Sequence, residues 1–300
     1  MTVAPNIEAK TTNKRKGGVS RWSRIMKNLT FIIPLSIFII LILTSIFAPF
    51  IAPHDPEATS LTERRLPPAF IEGGSTKYLL GTDSLGRDVL SRVIYGARVS
   101  LSVSLMVIAI TAGIGTLMGI ASGYLGGRID GFLMRVVDIA MSFPGLVLAM
   151  LLAVALGPGF FTVVIALSAL GWAGYARLIR GETLRIRNSD FVAQARISGA
   201  SSWRIMLRHI FPNVLNPLII IMTLAVGMMI LAESGMSYLG IGIPPPTPSW
   251  GSMVSDGRND LDVAWWISTF PGICIGLVVL SGNFLGDWLR DKMDPRLRQL

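Results

Sequence analysis

Six long apolar runs separated by polar segments set the pattern of this chain, at roughly 29–51, 99–123, 136–156, 160–179, 214–232 and 264–286. A span needs about 20 mostly apolar residues to cross a hydrocarbon core about 30 Å thick, and each run is of that order. The pattern predicts an all-α integral membrane protein with six transmembrane helices and no soluble domain. It divides the chain into a basic tail (1–28), a first helix (29–51), a loop (52–98), a five-helix core (99–290) and a charged tail (291–300). The first run reads as an uncleaved anchor rather than a signal peptide, with Ala48-x-x-x-Ala52 marking where processing would otherwise occur.

Within the core, the polar and basic insert 181–213 interrupts the apolar pattern. It reads as two short amphipathic helices around a small-residue corner. Asp190 is placed to cap the first, Gly199 to end it in a left-handed turn, Ser201 or Ser202 to cap the second, and Pro212 to stop it. Ala193, Ala195, Ser198, Gly199 and Ala200 carry so little side chain that another protein's groove can approach the backbone. Such a shape suits docking better than chemistry.

Other stretches leave alternatives open. A helix is expected from Thr82 or Asp83 to Arg98, whose Arg87, Asp88, Arg92 and Arg98 serve either as a wet surface or in an outer gate that receives a binding protein. Gly113, Gly115 and Gly119 mark the second run as a close-packed helix. Asp138 is either half of a structural pair with Arg135, three residues away, or a functional intramembrane acid. Pro144 and Gly145 break the third run, as a plain kink or as a wall of the pathway. Glu233 closes the fifth run without a nearby base, as a gate or substrate-amine contact or as a residue at the headgroups. Trp250, Trp265 and Trp266 read as interface anchors.

Composition agrees with this division: 51% of residues are hydrophobic, 15% are charged, and the mean hydropathy is +0.59. The net charge of +9 changes the picture only through its distribution. With six spans and both ends on one side, only Arg64, Arg65, Lys77, Arg87, Arg92, Arg98 and Arg258 of the 27 basic residues fall opposite the insert. The positive-inside bias then puts both termini and the insert in the cytoplasm, and the positive charge against lipid headgroups. Nucleic acid is not the expected partner, since no basic patch alternates with aromatic stacking platforms.

No catalytic or metal-ligating constellation emerges. Cys274 is the lone cysteine, and His54 and His209 fall on opposite sides. No Gly-x-x-x-x-Gly-Lys-Ser/Thr loop is present, so ATP hydrolysis by that route belongs to another chain. No cofactor is expected. The energy for any transport comes from a partner or from an ion gradient, and in the second case Asp138 and Glu233 would be the coupling acids of a carrier or channel subunit.

The spacing Ala193-Gln194-Ala195, three residues, Gly199, nine residues, then His209-x-Phe211-Pro212 resembles the loop motif of permease subunits in binding-protein-dependent ABC importers. That motif has Glu, Ala and Ala at the first three positions and Ile-x-Leu-Pro at its end, so this chain departs from it at Ala193, Gln194, His209 and Phe211. GTDSLGRDVLSRVIYGARVSL (81–101), PPPTPSWGSM (244–253) and GDWLRDKMDPRLR near the end resemble the dipeptide, oligopeptide and nickel group of that family. The resemblance implies a type I importer permease in a bacterial inner membrane. It also implies a second permease, cytoplasmic ATP-binding subunits and an extracytoplasmic solute-binding protein as partners. The insert would dock on the ATPase, with Ala193, Ala195, Arg196, Gly199, Ala200, Ser201 and Pro212 at the contact.

Overall fold

The computed structural model describes residues 21–293, with side chains from residue 31 onward. Segments 1–20 and 294–300, which hold most of the expected basic N-terminal tail and much of the C-terminal one, lie outside the described residues. Among the described residues the regular structure is helical. Its helices are α1 (Arg21–Ile46), α2 (Ala48–Ile51), α3 (Val89–Leu125), α4 (Gly127–Ser142), α5 (Gly145–Leu156) and α6 (Phe160–Arg187). There follow α7 (Asp190–Ile197), α8 (Ser202–Ile205), α9 (Phe211–Tyr238), α10 (Trp250–Gly257), α11 (Leu261–Ala264) and α12 (Trp266–Met293).

Among the described residues four helices are long and apolar enough to cross a membrane: Val89–Leu125, Phe160–Arg187, Ser202–Tyr238 and Trp266–Met293. A fifth is obtained if α4 and α5 form one span, bent by 81° at its break. Of the remaining expected span, the first in chain order, the described residues show the apolar helical stretch Phe31–Ile46, part of the 26-residue α1. The first run is split at Phe47, after which α2 starts afresh with a proline in its first turn.

The apolar runs also misplace several ends. The helix expected from Thr82 or Asp83 to Arg98 forms only from Val89 onward. Thr82 instead pairs with Asp88 in an isolated bridge around Gly86, whose φ is +75°, and α3 starts at Val89. Asp88 is its N-cap, accepting from the Ser91 N–H at 3.0 Å and the Ser91 hydroxyl at 2.6 Å. From there α3 runs unbroken through the second apolar run. Its 37 residues span about 55 Å, well beyond the hydrocarbon core.

Small residues hold the centre together. Gly115, Gly119 and Gly123, four apart on α3, let that helix lie directly against α6. A Cβ at Gly115 would come within 2.4 Å of Tyr175 Cβ, and one at Gly119 within 2.7 Å of the Ala176 carbonyl oxygen. Neither neighbour can retreat cheaply, since one is a Cβ and the other is backbone. Gly119→Leu is therefore expected to destabilise the bundle by about 1–3 kcal/mol, read as a lower unfolding temperature in detergent, whereas Gly113→Leu, whose Cβ position is open, should have little effect.

The ends of the bundle differ. α3, α6 and α12 finish, and α1 and α9 begin, at the end that carries 181–213. There Phe31 stacks on Trp288 with ring centroids 3.9 Å apart, and Arg180 holds Asp130 through two bonds of 2.6 Å. At the other end, residues 52–88 and 239–265 fold over the start of α3 as a cap. Two of the expected interface tryptophans are buried in it. Trp250 is fully buried in the space left by Gly96 and donates to the Val93 carbonyl at 3.0 Å. Trp266 is 5% exposed and donates to the Thr82 carbonyl at 3.1 Å. Trp265 alone keeps a large exposed surface.

Candidate functional site

The corner around Gly199 is built by a well-defined helix end. The Ala200 N–H bonds to the Ala195 carbonyl at 3.0 Å and the Gly199 N–H to the Arg196 carbonyl at 3.1 Å, the paired arrangement that closes a helix on a left-handed residue. Gly199 supplies that residue with φ +77°, and no atom lies within 4 Å of where its Cβ would be. Ser201 then caps α8 by accepting from the Arg204 N–H. Asp190 does not cap α7. Ser189 occupies the N-cap position, and Asp190 lies in the first turn, where its charge still favours the helix dipole.

Pro212 does not stop the second helix. Residues 206–210 form a π-turn in which the Phe211 N–H reaches back to the Met206 carbonyl, so the bonding register widens just before the proline and the helix continues. Ser202–Tyr238 is consequently one rod of 37 residues. Its near end belongs to the corner and its far end to the cap.

The corner has two faces. Inward, Val192, Ile205 and Ile210 are buried with Tyr124 and Ile179, and Ala195 and Ala200 pack against that cluster. Outward, Ala193, Arg196, Gly199 and Ser201 are exposed, as are Phe191, Ile197, Trp203 and Leu207. Ile197 is 88% exposed and Trp203 63%. Large apolar side chains presented from a polar insert mark an interaction surface. The Arg196 guanidinium lies 5.8 Å from the Tyr124 ring centroid, which holds this exposed charge against the bundle. The structure thus separates the expected docking residues: Ala193, Arg196, Gly199 and Ser201 face out, Ala195 and Ala200 face in, and Pro212 stands apart on α9.

The pathway candidates do not converge. Asp138 bonds to Arg177 on α6, not to Arg135, because the α4–α6 contact brings Arg177 within reach and leaves both partners half exposed. Pro144 is the N-cap of α5 at the 81° break, and beside that break lies a cavity of about 350 Å³. Phe143, Gly145, Leu146, Gly171, Gly174 and Met229 are among its walls, so it is apolar and flanked by glycine. Glu233 is fully buried within the protein. Its carboxylate accepts from Ser100 Oγ at 3.0 Å and from Ser237 Oγ at 2.8 Å.

Within the charged block Arg98 stays exposed, but Arg87, Asp88 and Arg92 are buried and gathered in the cap. Arg87 donates to Asp83 at 2.6 Å and to Asp256 at 3.3 Å, and Arg92 donates to the Pro56 carbonyl at 3.2 Å while lying within 3.6 Å of both acids. Asp83, Arg87 and Arg92 are each under 5% exposed. Burial pushes the Asp256 carboxyl above the ordinary value, against the pull of Arg92 and Arg87. Nearby, hydrogen bonds from Lys77 and Tyr78 hold the Glu63 carboxyl down to about 2. Sequence reading missed Asp256 and the serines around Glu233. The available signals were the four-residue spacing of Asp83 and Arg87, and Ser249-x-x-Ser252, which forms a capping box.

Among the described residues no group of three or more His, Cys, Asp or Glu side chains could hold a metal ion.

Comparison with known proteins agrees with this geometry. A family model described as binding-protein-dependent transport system inner membrane component matches residues 115–299. One described as the N-terminal TM domain of oligopeptide transport permease C matches residues 20–68. The chain is 42% identical over 278 residues to a dipeptide transport system permease protein of Escherichia coli, covering 93% of each. It is 41% identical over 279 residues to one of Bacillus subtilis, covering 93% of this chain and 85% of that protein. With one of Haemophilus influenzae the figures are 40% over 278 residues, 93% of this chain and 94% of the other. These matches set aside the ion-gradient-coupled carrier, and the chain belongs to the binding-protein-dependent transport system inner membrane components, the permease subunits of ABC importers, in which the ATPase is a separate chain.

Proposed function

We propose that this chain forms half of the translocation pathway of an ATP-driven importer of di- or oligopeptides, beside a second permease. Cytoplasmic ATP-binding subunits engage the corner 189–212, and a solute-binding protein delivers cargo to the cap at the opposite end. In this orientation both termini are cytoplasmic, in keeping with the excess of Lys and Arg on the Gly199 side. The relatives' names support peptides as the cargo class. The observation that carries the reading is the corner itself: a closed helix end that turns Ile197, Trp203 and a bare Gly199 outward, mounted on a rod that reaches the cap. Closure of the ATPase pair on ATP would swing that rod as a rigid body and open the pathway outward.

Isolation of the chain from detergent-solubilised membranes tests the proposal. A second permease and a chain with an ATP-binding phosphate loop should come with it, and the isolated assembly should hydrolyse ATP. Recovery as a homo-oligomer without ATPase activity would overturn it.

A further inference from the structure

The buried carboxylate of Glu233 has no use in the scheme above. Among the described residues no Arg, Lys or His forms an ion pair with it, so its burial rests on hydroxyl groups alone. Its two oxygens begin two chains of hydrogen bonds that end at the same place. One oxygen accepts from Ser100 Oγ on α3, which in turn accepts from the Trp250 N–H at 3.3 Å. The other accepts from Ser237 Oγ on α9, which lies 3.4 Å from Ser249 Oγ. Ser249 and Trp250 are the N-cap and first residue of α10.

The surrounding backbone is fitted to this link. A Cβ on Gly251 would lie 2.4 Å from Ser234 Cα, and one on Gly96 would lie 2.9 Å from Trp250 Cδ1. The start of α10 is therefore pressed directly against α9 and α3, with Glu233 at the junction of all three. The other end of the cap is tied to the same place, since Arg87 and Arg92 reach Asp256 on α10.

We infer that Glu233 is a positioning residue for transport: through Ser100, Ser237 and Ser249 it fastens the cap to α3 and α9, so that the three move as one unit. The inference rests on the proposed function for its consequence, because α9 continues the helix that leaves the docking corner. Force applied at the corner would then reach the outer face through a fixed joint and not through loose loops. The hydroxyl partners require a group that accepts two hydrogen bonds. Gln retains an acceptor and adds a donor that the serine oxygens can accept, whereas Leu fills similar space and offers neither.

The test uses the assembled transporter in lipid nanodiscs, with Cys274 replaced by Ala and spin labels on the exposed positions Leu105 and Asn259. The expected label-to-label distance distribution is narrow and keeps its width with and without bound nucleotide. Glu233→Leu should broaden it at least two-fold, and Glu233→Gln should restore it. Peptide uptake should fall at least ten-fold in the Leu variant while basal ATP hydrolysis stays within two-fold, and the Gln variant should recover uptake. If the Leu variant fails to reach the membrane, Ser249→Ala breaks one of the two chains and should give an intermediate broadening. A distribution in Glu233→Leu or Ser249→Ala as narrow as in the unchanged protein would overturn the inference, as would a Gln variant that behaves like Leu. The distance measurement does not depend on which cargo moves, so an assembly lacking an ATPase would defeat the functional reading and still decide this one.

Discussion

Gly199→Trp is expected to leave the chain in the membrane at its normal amount and to cut uptake by at least ten-fold. Two physical effects have to be separated. A side chain at φ +77° costs about 1–2 kcal/mol for any L residue, because its Cβ crowds the following carbonyl. That cost is confined to the helix end and is shared by Gly199→Ala. Bulk is the second effect. Nothing in this chain lies within 4 Å of the new Cβ, and Gly199 itself is exposed, so the added bulk starts in open space. On the proposed function, what it obstructs is the contact with the ATP-binding subunit. Ala should therefore retain most of the uptake, and Trp should lose it together with the co-purifying ATPase. Normal uptake by the Trp variant, with ATPase still bound, would remove the corner from the contact.

The second large effect is expected at Arg87. Arg87→Met removes the cation that sits between Asp83 and Asp256, leaving both acids to Arg92 alone. Breaking a buried charge cluster by deleting one partner costs about 3–5 kcal/mol, because the remaining charge stays desolvated without its counter-ion. Arg98→Met loses the same charge from an exposed position on α3, and should change stability by less than about 0.5 kcal/mol. The measurement is protease sensitivity of the 52–88 segment in detergent, alongside the unfolding temperature. Equal behaviour of the two variants would show that the cluster contributes nothing beyond surface ion pairs.

These two sites also show what could be read from the chain. The corner is local in sequence: Gly199, Ser201 and the small residues lie within a dozen positions, and helix-end preferences act over that range, so its shape was legible. The correct N-cap, Ser189 rather than Asp190, was a matter of one residue. The cap is not local. Asp256 meets Arg87 across 169 positions, and Ser100 meets Glu233 across 133. Burial of Trp250 depends on the absence of a side chain at Gly96, which no one-dimensional pattern connects with it. Pro212 misleads for a different reason. Proline removes one hydrogen bond from a helix, but a preceding π-turn changes which carbonyl needs a partner, and the helix survives. Apolar runs locate the spans because the bilayer acts on every residue in them. They do not locate helix ends, which depend on single side chains such as Asp88.

The continuity of Ser202–Tyr238 also has a geometrical result. At about 1.5 Å per residue its 37 residues make an arm of about 55 Å. A tilt of about 10° about one end would displace the other by about 10 Å, a distance comparable to the diameter of a helix. Sub-ångström changes in a distant groove need not be relayed atom by atom through the bundle. A stiff arm of this length magnifies small rotations, and the wider turn at 206–210 sits close to its fulcrum.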